Sequence, residues 1–141
     1  MHVPEALPVR RCEAVKPTLP HGMERDGFVA LVDAVASSLG VGAAAMMTFR
    51  TMIASTRPSA FKCGAEEPCC YLSQNEIANK RGVTACRIRQ HEAALVRAGL
   101  IEKRTMANGA RSGFSGCGVF FGAAIARVDE FLSLRDEGEA D

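Results

Sequence analysis

Between residues 73 and 99 the sequence carries start and stop signals for two consecutive helices. The run Ser73-Gln74-Asn75-Glu76 has the pattern of a capping box. In this motif the Ser73 hydroxyl can accept a hydrogen bond from the amide of residue 76, and the Glu76 side chain can accept one from the amide of Ser73. The first helix is expected to end near Gly82, Thr84 is a favourable N-cap for the second, and Gly99 is a C-cap glycine. A short helix, a glycine turn and a longer helix over residues 85–98 predict a helix-turn-helix.

Two short strands are predicted after this helix pair. Residues 100–104 begin with two apolar residues that we expect to be buried, and residues 117–121 form a second extended run. Between them, Asn108-Gly109 and Ser112-Gly113 mark a turn region. The predicted fold is therefore mainly α: a winged helix-turn-helix with a small β-hairpin wing and flanking N- and C-terminal helices.

The flanking helices are predicted from apolar residues at three- and four-residue spacing. Residues 28–39 form the first helix, which Gly40 stops, and residues 43–55 form the second, whose methionine-rich stripe is expected to pack in the core. Residues 59–68 are predicted as a loop and residues 70–72 as a short extended piece. The last helix is predicted over residues 123–134, after which the chain frays into an acidic tail.

The net charge of +1 hides an uneven distribution of charge along the chain. Eight basic residues lie between Lys80 and Arg111 against two acidic ones, whereas residues 127–141 hold two arginines and six acidic residues. A basic segment of this kind makes a local positive field that suits a polyanion. A solvated helix face is the alternative explanation of the same charges.

The second helix of the pair, with its N-cap, spans residues 84–98 and is long enough to lie in the major groove of duplex DNA. Arginine and glutamine can grip guanine and adenine edges with two hydrogen bonds. The candidate base-reading residues on this recognition helix are Arg87, Arg89 and Gln90. The candidate phosphate or wing contacts, which include a basic wing over residues 103–117, are Lys80, Arg81, Thr84, Lys103, Arg104 and Arg111.

Two other functions are compatible with this fold. A winged-helix transcriptional regulator would bind promoter DNA through the same residues, and a protein-interaction module would have lost DNA binding and kept its arginines for solubility. The concentration of basic residues on the two elements that would face DNA favours binding to double-stranded DNA. His91, in the middle of the recognition helix, is predicted either to contact a phosphate or to be packed or half-exposed.

The chain of 141 residues fits one domain, and its 48% apolar and 23% charged residues are typical of a soluble globular protein. We expect a flexible Pro-rich arm or an extended strap over residues 1–22, a winged-helix DNA-binding domain over 23–134 and an acidic tail over 135–141. Without a run of about eighteen apolar residues or a secretory signal, no membrane contact and a cytoplasmic location are expected.

Six cysteines, at positions 12, 63, 69, 70, 86 and 117, are expected to be free thiols. The spacing of Cys63, Cys69 and Cys70 does not fit a zinc ribbon, so small buried or loop thiols are favoured over a soft-metal or redox site. Cys86, at the start of the recognition helix, is a candidate for a redox switch because of its position beside Arg87. Because the chain lacks a glycine-rich phosphate loop and the HExxH and GxSxG motifs, no catalytic residue, metal or cofactor is expected.

An ordered set of segments resembles the N-terminal domain of RepC, the replication initiator of RepABC-type plasmids. The resemblance is carried by residues 72–78 and 89–101, by 31–35 and 39–41 upstream, and by 118–121 and 126–131 downstream, and it covers roughly residues 28–134. Glu92 stands where the family pattern has an apolar residue.

The resemblance implies sequence-specific binding to double-stranded DNA at a plasmid origin and a role in the initiation of replication, without enzymatic activity. RepC proteins are longer and carry a further C-terminal domain. A second copy of the chain, or a full-length initiator with which this chain competes or which it regulates, is therefore the candidate protein partner.

Overall fold

Helices make up most of the structure, a computed structural model that describes residues 17–64, 67–104 and 118–140. The helices are α1 (Arg25–Val35), α2 (Ala43–Ala54), α3 (Ala60–Cys63), α4 (Gln74–Arg81), α5 (Ala85–Arg97), α6 (Gly122–Ile125) and α7 (Val128–Ala140). The strands are β1 (Cys69–Cys70), β2 (Glu102–Arg104) and β3 (Gly118–Phe120).

The three strands form one antiparallel sheet in the order β1-β3-β2. Val119 in the middle strand pairs with Cys70 on one side and with Lys103 on the other. Together, α2, β1, α4, α5, β2 and β3 follow one another in the order of a winged helix-turn-helix. The predicted mainly α fold with a small sheet is confirmed.

Local signals set the ends of the two central helices, as predicted. The Glu76 amide donates to Ser73 Oγ at 3.1 Å and the Ser73 amide donates to Glu76 Oε1 at 2.8 Å, so both halves of the capping box are present. Gly82 ends α4 with a φ of 71°, a left-handed conformation that glycine adopts without strain. Thr84 Oγ1 accepts the amide of Arg87 at 3.1 Å and caps α5.

Four buried phenylalanines join the N-terminal helices to the sheet side of the domain. Phe28 of α1 contacts Phe49 of α2 and Phe61, and Phe121 contacts Phe49 and Phe61. The ring centroids of these pairs are 5.8–6.5 Å apart. Ring pairs at this spacing contribute about 0.5–1.5 kcal/mol beyond their area. Met46 and Met52 are buried in the same core, as predicted, whereas Met47 is exposed.

The predicted loop over residues 59–68 is wrong, because Ala60–Cys63 form the helix α3. This single turn buries Phe61 against Phe28 and Phe121. The chain before α1 packs on the same turn: Leu19 is buried and its amide donates to the Phe61 carbonyl at 2.9 Å. Of the predicted arm or strap over residues 1–22, residues 17–22 thus lie against α3, and residues 1–16 lie outside the described residues.

The outer helices differ from their predicted bounds. The first begins at Arg25 and ends at Val35, so residues 36–40 are a turn rather than a continuation of the helix. The single helix predicted over residues 123–134 is divided into α6 and α7, and α7 continues to Ala140 instead of fraying. At the break, Arg127 donates to the Ala98 carbonyl at 2.6 Å and so ties the C-terminal helices to the end of α5.

Candidate nucleic-acid interface

The recognition helix α5 has one buried and one exposed face. The buried residues are Ile88, His91, Glu92 and Leu95. The exposed residues are Cys86, Arg87, Arg89, Gln90, Ala93, Val96 and Arg97. Because residues three and four apart share a helix face, Gln90 lies near the middle of the exposed face together with Cys86, Ala93 and Arg97.

The three predicted base-reading residues are on this exposed face. Arg89 lies at the border next to Glu92, and Arg87 lies at the opposite border next to His91. Across residues 17–64, 67–104 and 118–140, the side chains of Arg87, Arg89 and Gln90 make no hydrogen bond or ion pair with the protein. Their donors are therefore available to a ligand.

Arg97 was not among the predicted site residues, although it is exposed on the same face as Gln90. The seven-residue spacing between them, two helical turns, is the sequence signal that identifies it.

Two of the predicted phosphate contacts lie at the junction of α2, α4 and α5. Arg81, at the end of α4, donates from Nε to Thr48 Oγ1 at 3.2 Å and from a terminal nitrogen to the Ala44 carbonyl at 3.0 Å. Lys80 beside it is exposed. Thr48 also bonds to His91, with Oγ1 and Nδ1 2.7 Å apart. Arg81 is thus held along α2, next to the recognition helix.

His91 is packed, one of the two outcomes predicted for it, and the residue is 7% exposed. Burial lowers the pKa of His91 below its ordinary value, and the positive charges of Arg81 and Arg87 lower it further. The imidazole is therefore neutral at neutral pH, beside two guanidinium groups.

On the other side of α5, the carboxylate of Glu92 is fully buried. Glu92 Oε1 accepts from Gln74 Nε2 of α4 at 2.8 Å and lies 3.1 Å from Lys103 Nζ of β2. Glu92 therefore links the recognition helix to the preceding helix and to the base of the wing through polar contacts.

Of the predicted wing contacts, Arg104 is bound to the protein itself. Its guanidinium lies 3.1 Å from Glu67 Oε1 and 2.8 Å from Glu102 Oε1, and stacks over the Phe120 ring at 3.9 Å. These carboxylates raise the pKa of Arg104, most strongly through the hydrogen bond that Arg104 donates to Glu102. Arg111 and the rest of the wing tip, residues 105–117, lie outside the described residues.

The family model for the replication protein C N-terminal domain matches residues 4–141. The chain belongs to this family. The match confirms the resemblance to RepC, and it extends beyond the segments that carried it. No curated protein and no solved structure matches the chain.

In this replication protein C domain the described cysteines are thiols without disulfide bonds. Cys69 and Cys70 are buried in β1, whereas Cys63 and Cys86 are exposed. Burial raises the pKa of Cys69 to about 11. Among residues 17–64, 67–104 and 118–140, no three His, Cys, Asp or Glu side chains converge in a way that would hold a metal ion. In the same part of the chain, no helix has the length and apolarity to span a membrane.

Proposed function

We propose that this replication protein C domain binds duplex DNA at a plasmid origin by inserting the exposed face of α5 into the major groove. The observation that carries the proposal is the set of donors on that face, of which Arg89 and Gln90 have no partner among the described residues. The groove is about 12 Å wide and admits one α-helix.

Arg89 and Gln90 are the proposed base-reading residues. Arginine forms two hydrogen bonds with the edge of guanine, and glutamine forms two with the edge of adenine. Because both side chains are exposed and unpaired within the described residues, they lose no internal bond when they turn to a base.

The proposed backbone contacts lie on both sides of this face. Lys80 is exposed at the end of α4, before the turn into α5. Lys103 is held at the base of the wing by Glu92, yet an ammonium group has three donors, and the side chain is 34% exposed. Thr84, Arg104 and Arg111 remain proposed contacts of the helix N-terminus and the wing. Contacts of this kind fix the orientation of the domain but carry no sequence information.

The test is fluorescence anisotropy of the full chain with origin-derived, promoter-derived and random duplexes at two salt concentrations. Binding to the origin duplex that persists at the higher salt, with weaker binding to the other two, supports the proposal. Equal, salt-sensitive binding to all three would reduce the domain to a generic basic surface. Preference for the promoter duplex would indicate a transcriptional regulator, and no binding at low salt would indicate a protein-interaction module.

A further inference from the structure

We propose that His91, Arg81 and Arg87 form a phosphate-binding site at the border of α5 that faces α2. The ligand is a phosphate monoanion or diester, and within the proposed function it is a backbone phosphate of the bound duplex. The phosphate chemistry follows from the three side chains themselves, and only the source of the phosphate rests on DNA binding.

The hydrogen bonds around Thr48 define which nitrogen of His91 carries the proton. Arg81 Nε is always a donor, so Thr48 Oγ1 accepts from it. Thr48 is fully buried, and within the described residues its hydroxyl has no acceptor other than His91 Nδ1. The hydroxyl proton therefore points to Nδ1, and the neutral imidazole carries its own proton on Nε2.

The Nε2–H group of His91 is a donor that the protein does not use. Within the described residues His91 bonds only to Thr48, through the other ring nitrogen. A fully buried Nε2 without a partner would be an unsatisfied donor, and within the described residues Nε2 of His91 is not one. Nε2 therefore reaches the surface, although the rest of the residue is buried. A donor that reaches the surface and is not used by the protein is open to a ligand as well as to water.

Two positive charges flank this donor without a carboxylate partner. Arg87 precedes His91 by four residues on the same helix face, and Arg81 lies against Thr48. Arg87 on α5 and Arg81 on α4 both lower the pKa of His91 through their positive charge. From α2, the neutral Thr48 contacts the imidazole. In the described residues no acidic side chain is paired with either arginine. An anion would relieve this repulsion and accept from all three groups.

The arrangement also separates the roles of the two arginines that the sequence placed together. Arg87 lies on the side of His91, which Arg81 also affects, whereas Arg89 lies on the side of Glu92 and the wing. The exposed face of α5 is thus bordered by a phosphate site on the α2 side and by Lys103 on the wing side. These borders match the two DNA strands that line a major groove.

The first experiment measures the pKa of His91 by NMR of the full chain, through its Cε1–H resonance. The His91→Gln variant assigns this resonance. Titrations are run in chloride, in inorganic phosphate at equal ionic strength, and with duplex DNA. A bound phosphate favours the imidazolium, so we expect the pKa to rise in phosphate and with duplex, by one unit for each tenfold preference for the charged form.

The outcomes separate this site from the proposed function. A raised pKa in phosphate without any duplex binding would support the site and contradict DNA binding. Duplex binding with an unchanged His91 pKa in both titrations would contradict the site and leave DNA binding intact. An unchanged pKa without duplex binding would contradict both.

A second experiment distinguishes phosphate contact from base reading at Arg87. Arg87→Gln is expected to weaken binding to origin and random duplexes alike and to reduce the slope of log K against log salt by about one. Arg50→Gln, which removes a charge from α2 next to Asp33, is the matched control and should leave both unchanged. Loss on the origin duplex alone would contradict the assignment of Arg87 to a phosphate.

Discussion

The fully buried carboxylate of Glu92 lies 3.1 Å from the ammonium group of Lys103, which joins the recognition helix to the first strand of the wing. The two partners are not equivalent, because Lys103 is 34% exposed and Glu92 is not exposed at all. Removing Glu92 leaves an ammonium that water can solvate. Removing Lys103 leaves a carboxylate that water cannot reach.

We therefore expect Lys103→Met to destabilise the domain more than Glu92→Gln. The expected costs are about 2 kcal/mol for the lysine variant and about 1 kcal/mol for the glutamate variant, below the roughly 3–5 kcal/mol of a fully buried pair because Lys103 is partly exposed. The measurement is urea unfolding. The double variant should be more stable than Lys103→Met alone, since its buried side chain is uncharged. Additive losses would contradict this account.

Gly118 is the residue of the sheet least able to accept a side chain. Its φ is 146°, and an added Cβ would lie 2.7 Å from Cys69 Sγ and 2.9 Å from the Cys70 carbonyl. Gly118→Ala should cost about 1–3 kcal/mol for the backbone conformation alone. Gly138→Ala, at an open position of α7, is the control and should stabilise by up to about 1 kcal/mol. Unchanged urea unfolding of Gly118→Ala would contradict the β1–β3 pairing.

The capping box predicts a dependence of stability on pH. Hydrogen bonds from the Ser73 amide and hydroxyl lower the pKa of Glu76 in the folded state. A lowered folded pKa adds stability that is complete above the unfolded pKa and is lost as pH falls through the folded one. Glu76→Gln keeps the cap but cannot titrate. The wild type should therefore be more stable than Glu76→Gln at neutral pH and lose this advantage in acid. The measurement is the urea midpoint of both proteins across this pH range, and a difference that does not change with pH would contradict the prediction.

The helix-turn-helix was predictable because its signals are local. The capping box at Ser73, the N-cap at Thr84, the left-handed Gly99 that follows the C-cap Ala98, and the glycine turn each act within a few residues. The helix α3 was missed because one turn is too short to show a periodicity, and the burial of Phe61 depends on partners as distant as Phe121.

The role of Glu92 was equally hidden from the sequence. A carboxylate in a helix is expected to face solvent, and its partners Gln74 and Lys103 belong to two other elements. The exposed face of α5, in contrast, followed from spacing alone, and so Arg89 and Gln90 were placed on the surface where the structure has them. The assignment of Arg87 to the border on the His91 side depended instead on the contacts of His91 in the structure.

If Arg89 reads a base, its removal should affect specific binding more than random binding. We expect Arg89→Ala to cost about 1–3 kcal/mol on the origin duplex and much less on a random one. Arg50→Ala removes the same charge from a side chain that lies 2.9 Å from Asp33 of α1, and it should change neither. Anisotropy titrations measure both. Equal losses on the two duplexes for Arg89→Ala would contradict base reading.

The cysteines provide a direct test of where DNA lies. Cys86 is exposed on the same face of α5 as Gln90, whereas Cys63 is exposed on α3. A bound duplex should therefore slow the alkylation of Cys86 and leave that of Cys63 unchanged. Because the thiolate is the reactive form, Cys69, with its pKa near 11, should react slowly with or without DNA.

Mass spectrometry of the alkylated peptides gives the rate for each cysteine in one sample, so Cys63 is an internal control for reagent loss and for trapping by DNA. Slowing confined to Cys86 would locate the duplex on α5 independently of any affinity measurement. Slowing of Cys63 alone would place the duplex near α3 and contradict binding through α5. Equal slowing of both would contradict a duplex held only against the exposed face of α5.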